Sequence, residues 1–331
     1  MVKDYNPPAT LPLRRAPKKR FIIIDSNSIV HRAFHALPPL TTKKGEAIGA
    51  VYGFLLVFLK ALRELQPDYI AATFDLPGPT FRHEKFKEYK ATRPPTAQGI
   101  CEQLPKVKEI LKAFNVSIFE KQGFEADDIV ATIANLVSSH NGKAELETII
   151  LSGDSDTFQL ADKNTKVYFL RKGVKDTVLY DENRVLEKYE GLSPEKLVDF
   201  KALKGDASDN IPGVKGIGEK TAIDLILKFG SLENLYQEVE EDKSSSPPLA
   251  AARVIEENSE KAMAIPSRIK EILIRDKERA FLSKELSQVE KNAPIDFDLN
   301  QCLWQNFDKA KAREVFEKFE FQSLINRLNK L

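Results

Sequence analysis

The chain has 331 residues, 42% of them apolar, enough for one large domain or two ordinary ones with a real core. Fifty Lys and Arg against 49 Asp and Glu leave whole-chain charge silent about nucleic acid, so charge has to be read by segment. Two distant cysteines, Cys101 and Cys302, exclude a cysteine-built zinc site and a disulfide framework and suit a reducing cytoplasm; no apolar run reaches 18 residues, so no membrane association is expected.

Residues 1–20 read as a disordered tail, with Lys3, Arg14, Arg15, Lys18, Lys19 and Arg20 against Asp4. The run FIIID at 21–25 is short, apolar and ends in an acid, the pattern of a buried parallel strand. A helix is predicted over 48–65, ending before Pro67. A second strand at 69–74 is followed by Asp75, and a third is predicted at 116–119. A fourth, at 148–151, is followed by Ser-Gly-Asp-Ser-Asp, which places Asp154 and Asp156 beyond its end. Strands alternating with helices predict an α/β fold with a mostly parallel central sheet flanked by helices. In such sheets ligands bind outside the carboxyl ends of the strands, where Asp25, Asp75, Asp154 and Asp156 fall.

Glu125, Asp127 and Asp128 precede Ile129, Val130, Ile133, Ala134 and Val137, which repeat at helical spacing. The acids therefore occupy a first helical turn, where the helix dipole favours each by roughly 0.3–1 kcal/mol. Ordinary helix capping is one reading; a metal site is the other. Glu125 and Asp128, three apart, share a face, which makes Asp127 the least certain ligand.

The connection over 77–105 is long enough to suggest a function. Its centre carries Arg82, Lys85, Lys87, Lys90 and Arg93 against Glu84 and Glu88, with Phe81, Phe86 and Tyr89 interleaved. Cations for phosphates and rings for bases suit a single nucleic-acid strand; a solvated amphipathic helix fits the segment equally well. A hairpin is predicted around Lys172 and Gly173, and a helix over 194–203.

The stretch GDASDNIPGVKGIGEKTA at 205–222 adds the pair Asp206 and Asp209. Its glycines Gly213, Gly216 and Gly218, flanked by Lys215 and Lys220, open into a helix over 220–229. This is a helix-hairpin-helix unit that grips a phosphate backbone without reading sequence. The expected division is an α/β core over 21–192, a helix-hairpin-helix region over 193–239, a flexible insertion over 240–268 and a helical part over 269–331. Trp304, Phe316, Phe319 and Phe321 are the expected core of the last part.

Nine carboxylates are thus placed at one edge: Asp25, Asp75, Glu125, Asp127, Asp128, Asp154, Asp156, Asp206 and Asp209. Two like charges 4 Å apart repel by roughly 4 kcal/mol at an effective dielectric of 20, so the cluster calls for bound cations. Acid-only ligands select Mg²⁺ or Mn²⁺ over zinc. His31 and His35 are four apart, but no Glu follows His31, and a structural role fits them better. Two such ions suit phosphodiester displacement.

These residues resemble the 5′-nuclease domain of bacterial DNA polymerase I, within the flap endonuclease superfamily. The motifs are IIIDSNSIVHRAFHAL at 22–37, FDLPGPTFRHEKFKEYKATRPPTA at 74–97, GFEADDIVAT at 123–132, LSGDSDTFQL at 151–160 and LKGDASDNIPGVKGIGEKTA at 203–222. The resemblance implies a PIN-like core with a helical arch over about 77–105. It implies Asp75, Glu125 and Asp128, with Asp25 through water, at a first Mg²⁺. Asp154 and Asp156, supported by Asp127, Asp206 and Asp209, would serve a second. Arg82 and Lys90 would contact the scissile phosphate or the threaded 5′ strand, and Arg32 would help hold substrate. The glycine hairpin would bind duplex DNA, with a K⁺ on its carbonyls. Implied substrates are DNA with 5′ flaps or nicks and RNA primers; a monomer is expected, with a polymerase domain in cis or in trans as partner. The insertion over 240–268 is longer than the family usually has. A short single-strand ribonuclease is disfavoured by the stretch at 203–222, and a non-catalytic junction-binding module by the full set of acids.

Overall fold

Strand β1 (Lys19–Asp25) organises the molecule. Its side chains alternate between two cores: Ile22 and Ile24 join one apolar layer, Phe21 and Ile23 the other. A strand covered on both faces reads as a continuous apolar run because neither face meets water. The computed structural model describes residues 18–140, 146–244, 265–304 and 307–329. Lys19 and Arg20, expected in a tail, are the first residues of β1, and Arg20 pairs with Glu147 at 3.1 Å. Residues 1–17 lie outside the described residues.

Six strands form one sheet in the order β3-β2-β1-β4-β5-β6, where β2 is Tyr69–Thr73, β3 Ser117–Phe119, β4 Leu146–Ser152, β5 Thr165–Lys172 and β6 Asp176–Tyr180. The first five are parallel; β6 closes one edge as an antiparallel hairpin partner of β5. The order reverses direction between β1 and β4, which makes the crevice beyond their carboxyl ends a topological switch point.

One face is covered by α1 (Ser26–Ala36), α2 (Gly49–Leu65) and α5 (Leu104–Ala113). Thirteen of the seventeen residues of α2 are buried, so the helix is a core element. It stops where Gln66 turns left-handed ahead of Pro67. A Cβ on Gly53 would stand 2.6 Å from the Ala33 Cβ, so the glycine lets α1 and α2 cross closely. The two C-terminal helices (Lys309–Lys318 and Gln322–Leu328) seal this face with Phe316, Phe319 and Phe321 packed near Phe114. Trp304 stacks on Phe307 at its margin.

The other face is covered by α6 (Ala126–His140) and by a helical region containing α8 (Leu197–Lys204), α9 (Glu219–Phe229) and α10 (Leu232–Ser244). Helices α11 (Ser267–Arg275) and α12 (Lys277–Ser287) complete it. The polar stretch from residue 240, expected to be flexible, continues α10 to Ser244; residues 245–264 of that insertion lie outside the described residues. Among the described residues no helix is long and apolar enough to cross a membrane.

Candidate metal and nucleic-acid site

The acids meet at the switch point. Asp25 ends β1 and caps α1, accepting from the Ser28 amide at 3.2 Å and the Ser152 hydroxyl at 2.6 Å. Asp75 follows β2 and accepts from the Ala126 amide at 2.7 Å, which ties it to the start of α6. Asp154 follows β4 and caps the short turn Ser155–Leu160. Together with Glu125 and Asp127 they line a cleft of about 590 Å³, shared with His31, Arg32, Lys90 and Arg93.

The first turn of α6 divides differently from the expectation. Asp128 is fully buried and does not line the cleft. Arg82 holds it in a two-pronged pair at 2.7 and 2.8 Å. The amides of Glu125 and Glu290 donate to the same carboxylate at 3.0 and 2.8 Å. Four donors occupy both oxygens, so Asp128 is a structural anchor rather than a free ligand. Asp127, the expected weak member, is the one that opens on the cleft with Glu125. Helical spacing misled here because Glu125 precedes the first helical residue, Ala126, and does not follow the helix's angular register.

A second group gathers opposite. The loop carrying Asp206 and Asp209 is pinched by a two-residue bridge between Asp206 and Ile211. Lys201, on α8, reaches Asp206 at 2.8 Å and also contacts Asp156. Asp209 is contacted by Arg93, by the Tyr89 hydroxyl at 3.2 Å and by Lys90 at 3.8 Å. Lys201 was invisible in the sequence, since nothing in its spacing sets it apart from surface lysines. Ser28 and Ser152 were missed as well; their position beside the aspartates in DSNS and LSGD was the available signal.

Nine carboxylates meet four contacting cations, Arg82, Lys90, Arg93 and Lys201, leaving five negative charges in excess. Asp25, Asp75, Asp127 and Asp154 make no direct ion pair among the described residues, although Lys90, Arg82 and Lys201 act on the last three at longer range. Burial in the crowded cleft raises the carboxyls of all four above the ordinary range, Asp127 well above. Burial also pushes Asp156 up to about 6, against the opposing pull of Lys201. For Asp206 burial works the other way from Lys201 and Ser208, which prevail and hold it well below the ordinary value. Burial, then His35 and Arg93, depress the His31 imidazole. Among the described residues no three His, Cys, Asp or Glu side chains stand ready around one point. The fit to hard cations is one of oxygen donors and uncompensated charge.

The segment expected to be a helical arch is mostly turns. Two short helices, Phe81–Lys85 and Gln98–Cys101, flank a stretch in which Lys90 adopts φ +55°. This stretch is folded onto the acids: Lys90 Nζ lies 2.7 Å from Glu125, and its amide donates to the Asp209 carbonyl at 2.9 Å. Tyr89, expected to stack on a base, is 3% exposed, and its hydroxyl also donates to Glu125 at 3.1 Å. Arg82, expected at a phosphate, is 2% exposed. Phe81 packs against Phe124, whereas Lys87 and Arg93 are exposed as a strand contact requires. Arg32 lines the cleft and donates to the Gly153 carbonyl.

In the glycine hairpin, Gly213 is buried at φ +59° and donates to the Ser283 hydroxyl at 3.0 Å. A Cβ there would stand 2.4 Å from the Gly205 amide, so this glycine serves a backbone crossing and not a phosphate. Gly216, at φ +100°, and Gly218, which caps α9, remain open with Lys215 and Lys220.

Residues 20–190 match a family model described as 5′-3′ exonuclease, N-terminal resolvase-like domain, and residues 192–310 one described as 5′-3′ exonuclease, C-terminal SAM fold. DNA polymerase I of Bacillus subtilis is 38% identical over 94% of this chain, and that of Caldicellulosiruptor bescii 40% over 93%. These matches cover 32% and 33% of the relatives, so the chain spans about a third of their length. Among solved structures, T5 5′-exonuclease with bound divalent metal ions superposes with a TM-score of 0.62 at 19% identity, covering 94% of this chain and all of that one. The catalytic core of Rad2 in complex with DNA substrate gives 0.55 at 18% identity, covering 94% and 92%. At these identities the superpositions establish the fold.

Proposed function

Because the chain belongs to the 5′–3′ exonuclease family, we propose that it hydrolyses DNA phosphodiesters as a 5′–3′ exonuclease and structure-specific 5′-flap endonuclease. The observation that carries this reading is the convergence of Asp25, Asp75, Asp127 and Asp154, none of them in a direct ion pair among the described residues, on one cleft at the switch point. Substrates would be 5′ flaps, nicks and RNA primers met in replication and repair. The protein would act in the cytoplasm as a monomer, with a polymerase domain in cis or in trans as partner.

Two Mg²⁺, for which Mn²⁺ substitutes, are the proposed cofactors, and they would lower the pKa of the attacking water and stabilise the leaving oxyanion. Asp75, Glu125 and Asp127, with Asp25, would hold one ion; Asp154 and Asp156, with Asp206 and Asp209, the other. Lys90, which lines the cleft, would meet the phosphate that enters it. Arg93 and Arg32 would hold the flanking strand. Lys215, Gly216, Gly218 and Lys220 would take the duplex backbone, and a K⁺ on the hairpin carbonyls is part of the same proposal.

The test is Asp154→Ala. We expect flap binding to stay within about threefold while Mg²⁺-dependent cutting falls by about 10³-fold or more. Retained cutting would place the reacting centre elsewhere.

A further inference from the structure

We propose that Arg82 and Asp128 act as a positioning pair that sets the placement of Glu125 and of the segment carrying Lys90, and that neither touches substrate or metal. The proposal deepens the nuclease reading and depends on it only for its rate measurement.

The pair is a junction of three chain segments. Arg82 belongs to the base of the basic segment, Asp128 to the acidic turn of α6. The third partner is the end of α12: Arg82 donates to the carbonyls of Leu286 at 3.0 Å and Gln288 at 2.9 Å. The Glu290 amide completes the junction on Asp128 at 2.8 Å. Four of the five N–H donors of Arg82 and both oxygens of Asp128 are thereby hydrogen-bonded inside the protein, and Arg82 Nη1 also stands 3.7 Å from Glu125 Oε2. With 2% and 0% of these side chains exposed, no face is left for a phosphate or a cation.

What the junction controls is Glu125. Its amide donates to Asp128 at 3.0 Å, and its Oε2 stands 3.7 Å from Arg82 Nη1. The same oxygen accepts from Tyr89 and Lys90. Moving Asp128 therefore moves the backbone of Glu125, and moving Arg82 also moves the segment that delivers Lys90. Helix α12 extends the linkage to the DNA-gripping hairpin, since its Ser283 hydroxyl accepts from the Gly213 amide. A buried ion pair adds little net stability over apolar residues of equal volume, so what it contributes here is one fixed geometry. The planar fork of arginine supplies that geometry and a lysine does not.

The test compares Arg82→Lys, Asp128→Asn and the two combined, each confirmed as folded by circular dichroism. We expect each single change to lower single-turnover flap cleavage by about 10²-fold, with flap affinity in EDTA within about threefold. The combined variant should be no slower than the worse single by more than about threefold, because the two act as a unit. Mn²⁺ affinity, read by electron paramagnetic resonance without substrate, should weaken by the same factor in both singles.

Three results would overturn the proposal: Arg82→Lys cleaving at more than about a third of the wild-type rate, as a simple charge on a phosphate would allow; losses that multiply; or Mn²⁺ binding weakened by Asp128→Asn alone. If a single variant fails to fold, Arg82→Met with Asp128→Leu leaves no charge stranded. That variant should fold and weaken Mn²⁺ binding; unchanged Mn²⁺ affinity overturns the proposal. A wild-type protein that cuts no flap would remove the functional reading, and the Mn²⁺ comparison would still decide the pair.

Discussion

Lys90 Nζ lies 2.7 Å from Glu125 Oε2, so a basic side chain from the long connection occupies the acidic cleft itself. The contact is made from a left-handed backbone at Lys90, an uncommon conformation for a residue with a Cβ. Burial opposes the lysine's charge, but Glu125, Asp209 and Asp127 outweigh it and hold the ammonium protonated. Lys90→Ala should lower the single-turnover cleavage rate by about 10²-fold, as loss of one transition-state donor does. An unchanged rate would reduce the contact to a structural counterion.

The excess negative charge predicts a stability that depends on cations. Mg²⁺ at a hundred times its dissociation constant should add about 2.7 kcal/mol to the folded state, seen as a higher Tm by calorimetry. Asp127→Asn should raise the Tm measured in EDTA, by about 0.5–2 kcal/mol of stability, because it removes a carboxylate whose charge is disfavoured by burial, Asp128 and Glu125 more than Arg82 and Lys90 favour it. A lower Tm for that variant in EDTA would show that the charge is compensated after all.

Glu147 supplies a pH prediction away from the cleft. Burial disfavours its charge, yet Lys166 at 2.6 Å and Arg20 at 3.1 Å prevail and lower its carboxyl below 4.5. A depressed folded-state value stabilises the protein above the unfolded-state value, and that stability is lost as pH falls through the folded one. Glu147→Gln should therefore cost stability near neutral pH and progressively less below about pH 4.5. An equal cost at pH 7 and pH 3 in urea titrations would contradict the pairing.

The thiols report on the packing of the chain. Cys101 is exposed; Cys302 is buried, and burial pushes its thiol up to about 12. One equivalent of a thiol reagent should react with the folded protein at pH 7.5, and a second only after denaturation. Two fast equivalents would show that the stretch around Leu299–Cys302 does not pack against the sheet.

Much of this architecture was legible because the sheet is covered on both sides. Runs such as FIIID and YIAAT have no solvent face, so continuous apolarity marks them; an acid ends the first and stands two residues after the second. The same logic put Asp25, Asp75 and Asp154 beyond the strand ends, where they line the crevice with Glu125 and Asp127. Asp128 escaped it because its role is set by Arg82 and by a backbone amide 162 residues away, which no local spacing encodes. Tyr89 was misread for a related reason. An aromatic among cations suits base stacking, but here a hydroxyl that satisfies Glu125 and Asp209 draws the ring inside. Gly213 looked like part of a phosphate cradle, and only its close approach to Gly205 shows that it serves the backbone crossing.

The most direct test of the central claim uses a labelled duplex carrying a 5′ flap, compared with a blunt duplex and a free single strand, each with Mg²⁺ and with EDTA. Cutting near the flap junction is expected in Mg²⁺, with much slower cutting of the other two and none in EDTA. Equal cutting of all three substrates, or cutting of none, would contradict that claim.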